Sequence, residues 1–136
     1  MATILLVEDS DELRKILQRI LEEAGHWIIA VTPTDDDFIA ASMTALQEHP
    51  SIDVLLTDIN LKRQLGFELI KKIIGGQGPK PKKIVIMSAD PRALNLQGEY
   101  GIYADNLTSF ISDTFLKGDP GQDIEKKIAA VVAQKE

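Results

Sequence analysis

The chain of 136 residues contains no cysteine. Disulfides, thiolate nucleophiles and cysteine-based metal sites are therefore excluded. No apolar run approaches the roughly 18 residues of a membrane span, and no low-complexity segment or internal repeat is present. A basic surplus is also missing: 15 Lys and Arg against 21 Asp and Glu leave a formal charge of −6. That balance argues against a nucleic-acid-binding surface as the main function, because phosphate contacts need a basic face. The N-terminus has no basic region before its first short apolar run, and acids follow at once, so no signal peptide is expected. A composition of 44% hydrophobic and 26% charged residues is ordinary for a globular protein. The expectation is one soluble, cytoplasmic domain spanning residues 1–136, long enough for a full core and too short for two.

What is there is an alternation of short apolar runs with longer amphipathic segments, the pattern of βαβ units around a parallel sheet. Thr3–Val7 reads as the first strand and Asp11–Glu23 as a helix, with Leu13, Ile16, Leu17, Ile20 and Leu21 at helical spacing. Ser10 or Asp9 is placed to cap it, and Gly25 to stop it. Trp27–Val31 reads as the second strand. Thr34 is expected to cap a helix whose first turn holds Asp35, Asp36 and Asp37, acids that complement the helix dipole, with Pro50 ending it. Ile52–Thr57 is the third strand, Gly66–Ile74 a short helix, and Ile84–Met87 the fourth strand. Lys80, Lys82 and Lys83 read as solvated loop charge. Asp90–Phe110 is interrupted by Gly98 and Gly101. Thr114–Leu116 is a weak fifth strand and Ile124–Val132 a final amphipathic helix. Five strands alternating with five helical segments give a three-layer α/β/α sandwich.

Carboxylates close two of the apolar runs. Glu8-Asp9 follows the first strand and Asp58 the third. Open α/β sheets place their ligand sites at the carboxyl ends of the strands, so the three acids are expected at one edge. Unit charges about 4 Å apart repel by about 4 kcal/mol at an effective dielectric near 20. Such a cluster calls for a divalent cation, and hard oxygen ligands favour magnesium or calcium over zinc. Ser88 and Ala89 after the fourth strand, and Lys117 after the fifth, belong to the same edge if the sheet is parallel.

This set resembles the receiver domain of two-component response regulators: an acidic pair, a central aspartate, a serine followed by a small residue, and a lysine, each at a strand end. The resemblance covers essentially the whole chain in order, and it implies a flavodoxin-like fold with a five-stranded parallel sheet in the order 2-1-3-4-5. It also implies that Asp58 accepts a phosphoryl group from a histidine kinase or phosphotransfer protein. Magnesium would be bound by Glu8, Asp9, Asp58 and the backbone carbonyl of Asn60. Lys117 and Ser88 would contact the phosphoryl oxygens, and the domain would act on an unknown downstream protein as a switch, not a turnover enzyme, with no direct role for nucleic acid or membrane.

The chain departs from the family pattern around that site. Receivers usually carry proline four residues after the aspartate, where this chain has Lys62, and proline after the lysine, where it has Gly118. Phe110-Ile111 replaces the usual Gly-Ala, and Thr114 the aromatic residue whose rotation reports phosphorylation. Tyr100 and Tyr103, three apart, are placed to share a helix face. The final helix, with Ile124, Ile128, Val131 and Val132, is read as packing on its own sheet, with a homodimer face as the alternative. These departures motivate a rival reading, a phosphorylation-independent interaction module on the same fold. A metal-dependent phosphatase is disfavoured because Asn60 stands where such enzymes commonly carry a second aspartate.

Overall fold

The computed structural model describes residues 1–90, 107–118 and 121–134. Its main sheet consists of β1 (Thr3–Val7), β2 (Trp27–Ala30), β3 (Val54–Asp58), β6 (Lys83–Ser88) and β7 (Asp113–Leu116). All neighbours are parallel, in the order β2-β1-β3-β6-β7. A small antiparallel hairpin, β4 (Asn60–Leu61) and β5 (Gln64–Leu65), lies outside this sheet. With the hairpin set aside, the sheet has the expected order 2-1-3-4-5. The four α-helices among the described residues are α1 (Asp11–Glu23), α2 (Phe38–Glu48), α3 (Gly66–Gly75) and α4 (Gly121–Ala133).

The strands read as continuous apolar runs because both faces of the sheet are covered. Successive side chains alternate between two cores. Leu5, Val7, Leu55, Ile84 and Ile86 pack with Phe38 and Leu46 of α2 and with Phe67, Leu69, Ile70 and Ile73 of α3. Ile4, Leu6, Val54, Leu56, Val85 and Met87 pack with Leu17 and Leu21 of α1 and with Ile124, Ile128 and Val131 of α4. The final helix thus spends its apolar stripe on its own sheet, with Val132 left 37% exposed at the margin.

Ser10 caps α1, its Oγ accepting from the Leu13 N–H at 3.3 Å. Gly25 follows the helix at φ +95°, the left-handed conformation that ends helices at low steric cost. The start of α2 differs from expectation: Asp37, not Thr34, is its cap, and its Oδ1 accepts from the Ala40 N–H at 3.0 Å. Asp36 has φ +61°, which takes Asp35 and Asp36 off any helical path. The three acids therefore shape a turn before the helix instead of filling its first turn. β3 begins at Val54 and includes Asp58, while Asp53 holds the neighbouring strand by accepting from the Thr3 N–H at 2.8 Å.

The expectations for Asp90–Phe110, Tyr100 and Tyr103 included, fall mostly outside the described residues. At its end a single 3-10 turn spans Thr108–Phe110. No helix among the described residues is long and apolar enough to cross a membrane.

Candidate functional site

The parallel register brings the ends of β1, β3, β6 and β7 to one edge. Glu8 and Asp9 follow β1 directly, Asp58 is the last residue of β3, Ser88 the last of β6, and Lys117 follows β7. Carboxylate oxygens of Glu8, Asp9 and Asp58 lie within 4.8 Å of one another. Glu8 is fully buried, Asp58 is 3% exposed and Asp9 half-buried. Such a group of acids at the carboxyl edge of an open α/β sheet is where ligands of this fold class sit.

Lys117 crosses from the far side of the sheet to meet these acids. Its ammonium donates to Asp58 Oδ2 and, at 3.1 Å, to Glu8 Oε2, and lies 2.5 Å from Glu8 Oε1. The backbone aims it, because the Lys117 N–H donates to the Ser88 carbonyl at 2.8 Å and extends the β6–β7 pairing. Burial by itself would lower the Lys117 pKa, but the hydrogen bonds to Asp58 and Glu8 outweigh it and hold the value above normal. Glu8 moves the other way from an ordinary acid. Burial first, and then a hydrogen bond with Asp58, raise its pKa from 4.5 to about 8, although Lys117 opposes the shift.

One ammonium thus serves two buried carboxylates: Glu8 Oε1 makes no hydrogen bond among the described residues and faces only the Lys117 ammonium, at 2.5 Å. A buried carboxylate oxygen without a donor is costly unless a cation or proton completes it. The donor set is all hard oxygen, on strand ends, with three clustered carboxylates and one ammonium beside them. These residues fit a divalent cation of the magnesium or calcium type.

The remaining expected residues surround this core. Ser88 is 2% exposed, and its Oγ accepts from the Asp90 N–H at 3.0 Å. Asn60 is exposed, and its N–H donates to Asp58 Oδ1 at 3.1 Å. Lys62 has φ +60° and pairs with Asp36 at 2.9 Å.

Three contributors escaped the sequence reading. Thr57 Oγ1 donates to the Asp58 carbonyl at 3.0 Å. Gly66 packs so closely beneath Asp58 that a Cβ there would lie 2.2 Å from the Asp58 carbonyl oxygen. Gln64 ties the hairpin to α2, donating from Nε2 to Asp37 Oδ1 at 2.9 Å and accepting at Oε1 from the Ile39 N–H at 3.1 Å. Only Gly66 had a local signal, a glycine opening a helix eight residues after the central aspartate.

Fold and site together define a doubly wound α/β protein with an acidic, lysine-braced cleft at the carboxyl edge of its sheet. The family model of the response regulator receiver domain matches residues 4–99, most of the chain. The chain belongs to the response regulator receiver domain family. The response regulator receiver protein CpdR of Brucella abortus is 38% identical over 72 residues, 53% of this chain and 55% of that protein. The chain spans from 14% to 64% of the length of the curated relatives it matches. The chemotaxis response regulator CheY4 of Vibrio cholerae superposes with a TM-score of 0.76 at 19% identity, covering 96% of this chain and 98% of that one. The receiver domain of the sensor histidine kinase PA1611 of Pseudomonas aeruginosa, with a magnesium ion coordinated in its active-site cleft, superposes at 0.74 with 17% identity and 98% of both chains. These structural likenesses carry the fold across β7 and Lys117, which lie beyond the matched residues. Domains of this family are signalling switches, not turnover enzymes.

Proposed function

We propose that this chain is a single receiver domain over residues 1–136 that accepts a phosphoryl group on Asp58 from the phosphohistidine of a sensor kinase or phosphotransfer protein. The observation that carries this reading is the Lys117 ammonium shared between Asp58 and Glu8, a cation already aimed at the oxygen that would attack. Transfer forms a bond between an Asp58 carboxylate oxygen and phosphorus as the phosphorus–nitrogen bond to the donor imidazole breaks. The imidazole leaves with the electron pair and takes up a proton.

Glu8, Asp9, Asp58 and the Asn60 backbone carbonyl would hold magnesium. When bound, magnesium would offset the negative charge that builds up during the transfer. Lys117 gives up its bond to Asp58 and turns to a phosphoryl oxygen, which its flexible stem permits. The Ser88 Oγ accepts from the Asp90 N–H, and its hydroxyl would donate to a phosphoryl oxygen. Drawing Ser88 and Lys117 inward shifts the ends of β6 and β7, and the switch is a population shift between existing states. Its reader would be a downstream protein in the cytoplasm, without direct contact to nucleic acid or membrane.

The test is incubation with magnesium and acetyl phosphate or a phosphorylated donor protein, followed by mass spectrometry of the intact chain. One added phosphoryl group is expected, and none in Asp58→Asn. A folded, magnesium-binding protein that gains no mass from either donor would instead support the phosphorylation-independent interaction module. Labelling that persists in Asp58→Asn would show that another residue accepts the group.

A further inference from the structure

We propose that Gln64 is a positioning residue for the metal and phosphoryl site, acting through the β4–β5 hairpin; this deepens the reading of Asp58 as acceptor and rests on it. The hairpin begins at Asn60, whose N–H is bonded to Asp58 Oδ1 and whose carbonyl is the expected backbone ligand. Its backbone ladder is only two residue pairs long, Asn60 with Leu65 and Leu61 with Gln64. A hairpin that short is not stable alone, so its position must come from what it touches.

Its base is closed by the Gly66 N–H on the Ile59 carbonyl at 2.6 Å and by the Leu65 N–H on Glu68 Oε1 at 3.2 Å, and three side chains anchor the rest with different strengths. Leu61 is fully buried in the core beside Phe38 and Phe67, which fixes the depth of the hairpin and leaves it free to rock about that side chain. Lys62 pairs with Asp36, but both side chains are about half exposed, and such pairs hold geometry weakly. Gln64 is half-buried and uses both ends of its amide on the first turn of α2: Nε2 to the capping carboxylate of Asp37, Oε1 to the Ile39 N–H. Two bonds from one planar group fix rotation as well as distance, and the bond to Asp37 is charge-assisted. Gln64 lies directly across the ladder from Leu61, one step from Asn60. Removing its amide therefore frees the strand end that carries Asn60, while the acids on β1 and β3 stay in the main sheet.

A partner that orients a ligand from behind commonly changes metal affinity about 10- to 100-fold when removed. Gln64 acts one strand further back, so about a tenfold loss is expected. Gln64→Ala should weaken magnesium binding, measured by calorimetry with MgCl2, by about that factor, and should speed amide exchange at Asn60 in the metal-free protein. Gln64→Glu should do the same, because it loses the donor towards Asp37 and adds a like charge. Combining Gln64→Glu with Asp37→Asn should recover the affinity. In that double variant the amide introduced at position 37 donates to the new carboxylate while its oxygen still caps α2.

Unchanged Asn60 exchange in Gln64→Ala overturns the proposal whatever magnesium does. So does a magnesium affinity within twofold of the parent in both single variants, since a cap-only role for Gln64 predicts that result. A double variant that folds but does not recover the affinity overturns it as well. Faster Asn60 exchange in Gln64→Ala, together with a parent protein that gains no phosphoryl group, would instead count against Asp58 as acceptor, which keeps the two failures apart.

Discussion

Lowering the pH from 8 to 6 should weaken magnesium binding steeply, and the reason lies in the charge balance around Lys117. Two buried carboxylates, Glu8 and Asp58, share one ammonium. Burial and the neighbouring Asp58 raise the Glu8 pKa from 4.5 to about 8, which favours a proton on Glu8 as the second positive charge. A metal ligand must be deprotonated, so each ion that binds below pH 8 displaces that proton. The observed affinity should then fall about tenfold per pH unit between 8 and 6, or about 1.4 kcal/mol each. Near pH 7 close to one proton should leave per ion bound. Calorimetry with MgCl2 in two buffers of different protonation enthalpy measures both quantities.

The same shift fixes the sign of the metal-free stability. Glu8 binds its proton more tightly folded than unfolded, so stability is full below about pH 4.5 and declines as the pH rises through 8. The displacement corresponds to about 5 kcal/mol. Saturating magnesium should remove most of that slope by mass action. Glu8→Gln should flatten it without magnesium and should bind the ion weakly at every pH. An affinity constant within twofold from pH 6 to 8, with no proton released, would refute the reasoning: Glu8 would then be ionised throughout and Lys117 sufficient for both acids.

Two further predictions concern the backbone beneath the site. Gly66→Ala would place a Cβ 2.2 Å from the Asp58 carbonyl oxygen, so either α3 or the end of β3 must move. A loss of about 1–3 kcal/mol is expected from overpacking, read as a lower urea midpoint at unchanged slope, together with weaker magnesium binding; an unchanged midpoint would mean that α3 moves freely. Lys62→Pro, which restores the residue usual in receivers, should destabilise by at least about 1 kcal/mol, because φ +60° is closed to proline. Lys62→Gly should stay within about 1 kcal/mol of the parent in the same denaturation assay.

The sheet and its helices were legible because the physics that writes them is local. Period-two burial on two covered faces produces the runs Thr3–Val7 and Ile84–Met87, and the stripe Leu13, Leu17, Leu21 is helical spacing alone. The acids, Ser88 and Lys117 could be placed together once the sheet was taken as parallel, since register then carries strand ends to one edge. The hairpin was not legible. Asn60-Leu61 and Gln64-Leu65 are too short for any periodicity, and the contacts that hold them include the Gln64 amide on α2, 25 residues away in sequence from Ile39. The cap of α2 was misplaced for a related reason. Thr34 and Asp37 are both good caps, and a left-handed Asp36 between them, which no local pattern announces, leaves Asp37 as the cap. That burial would raise the pKa of Glu8 was equally hidden, because no local pattern tells how deeply a strand-end acid is buried.

Lys62 and Gly118 change meaning when set side by side. Each stands where receivers usually carry proline, and each has a left-handed backbone, φ +60° and +99°. Proline's ring fixes φ near −65°, so neither loop follows the path a proline would impose. A lysine at φ +60° is itself costly, by about 1–2 kcal/mol, which the buried Leu61 and the clamp of Gln64 on α2 offset. Gly118 adopts its conformation at little cost, and a Cβ there would meet nothing within 4 Å. The aim comes from behind, from the Lys117 N–H on the Ser88 carbonyl, and from ahead, from two carboxylates. A lysine held by the sheet and by its own ligands does not need a rigid loop after it. The loss of both prolines therefore leaves the acid–lysine constellation in place, while the loops on either side of it take courses of their own.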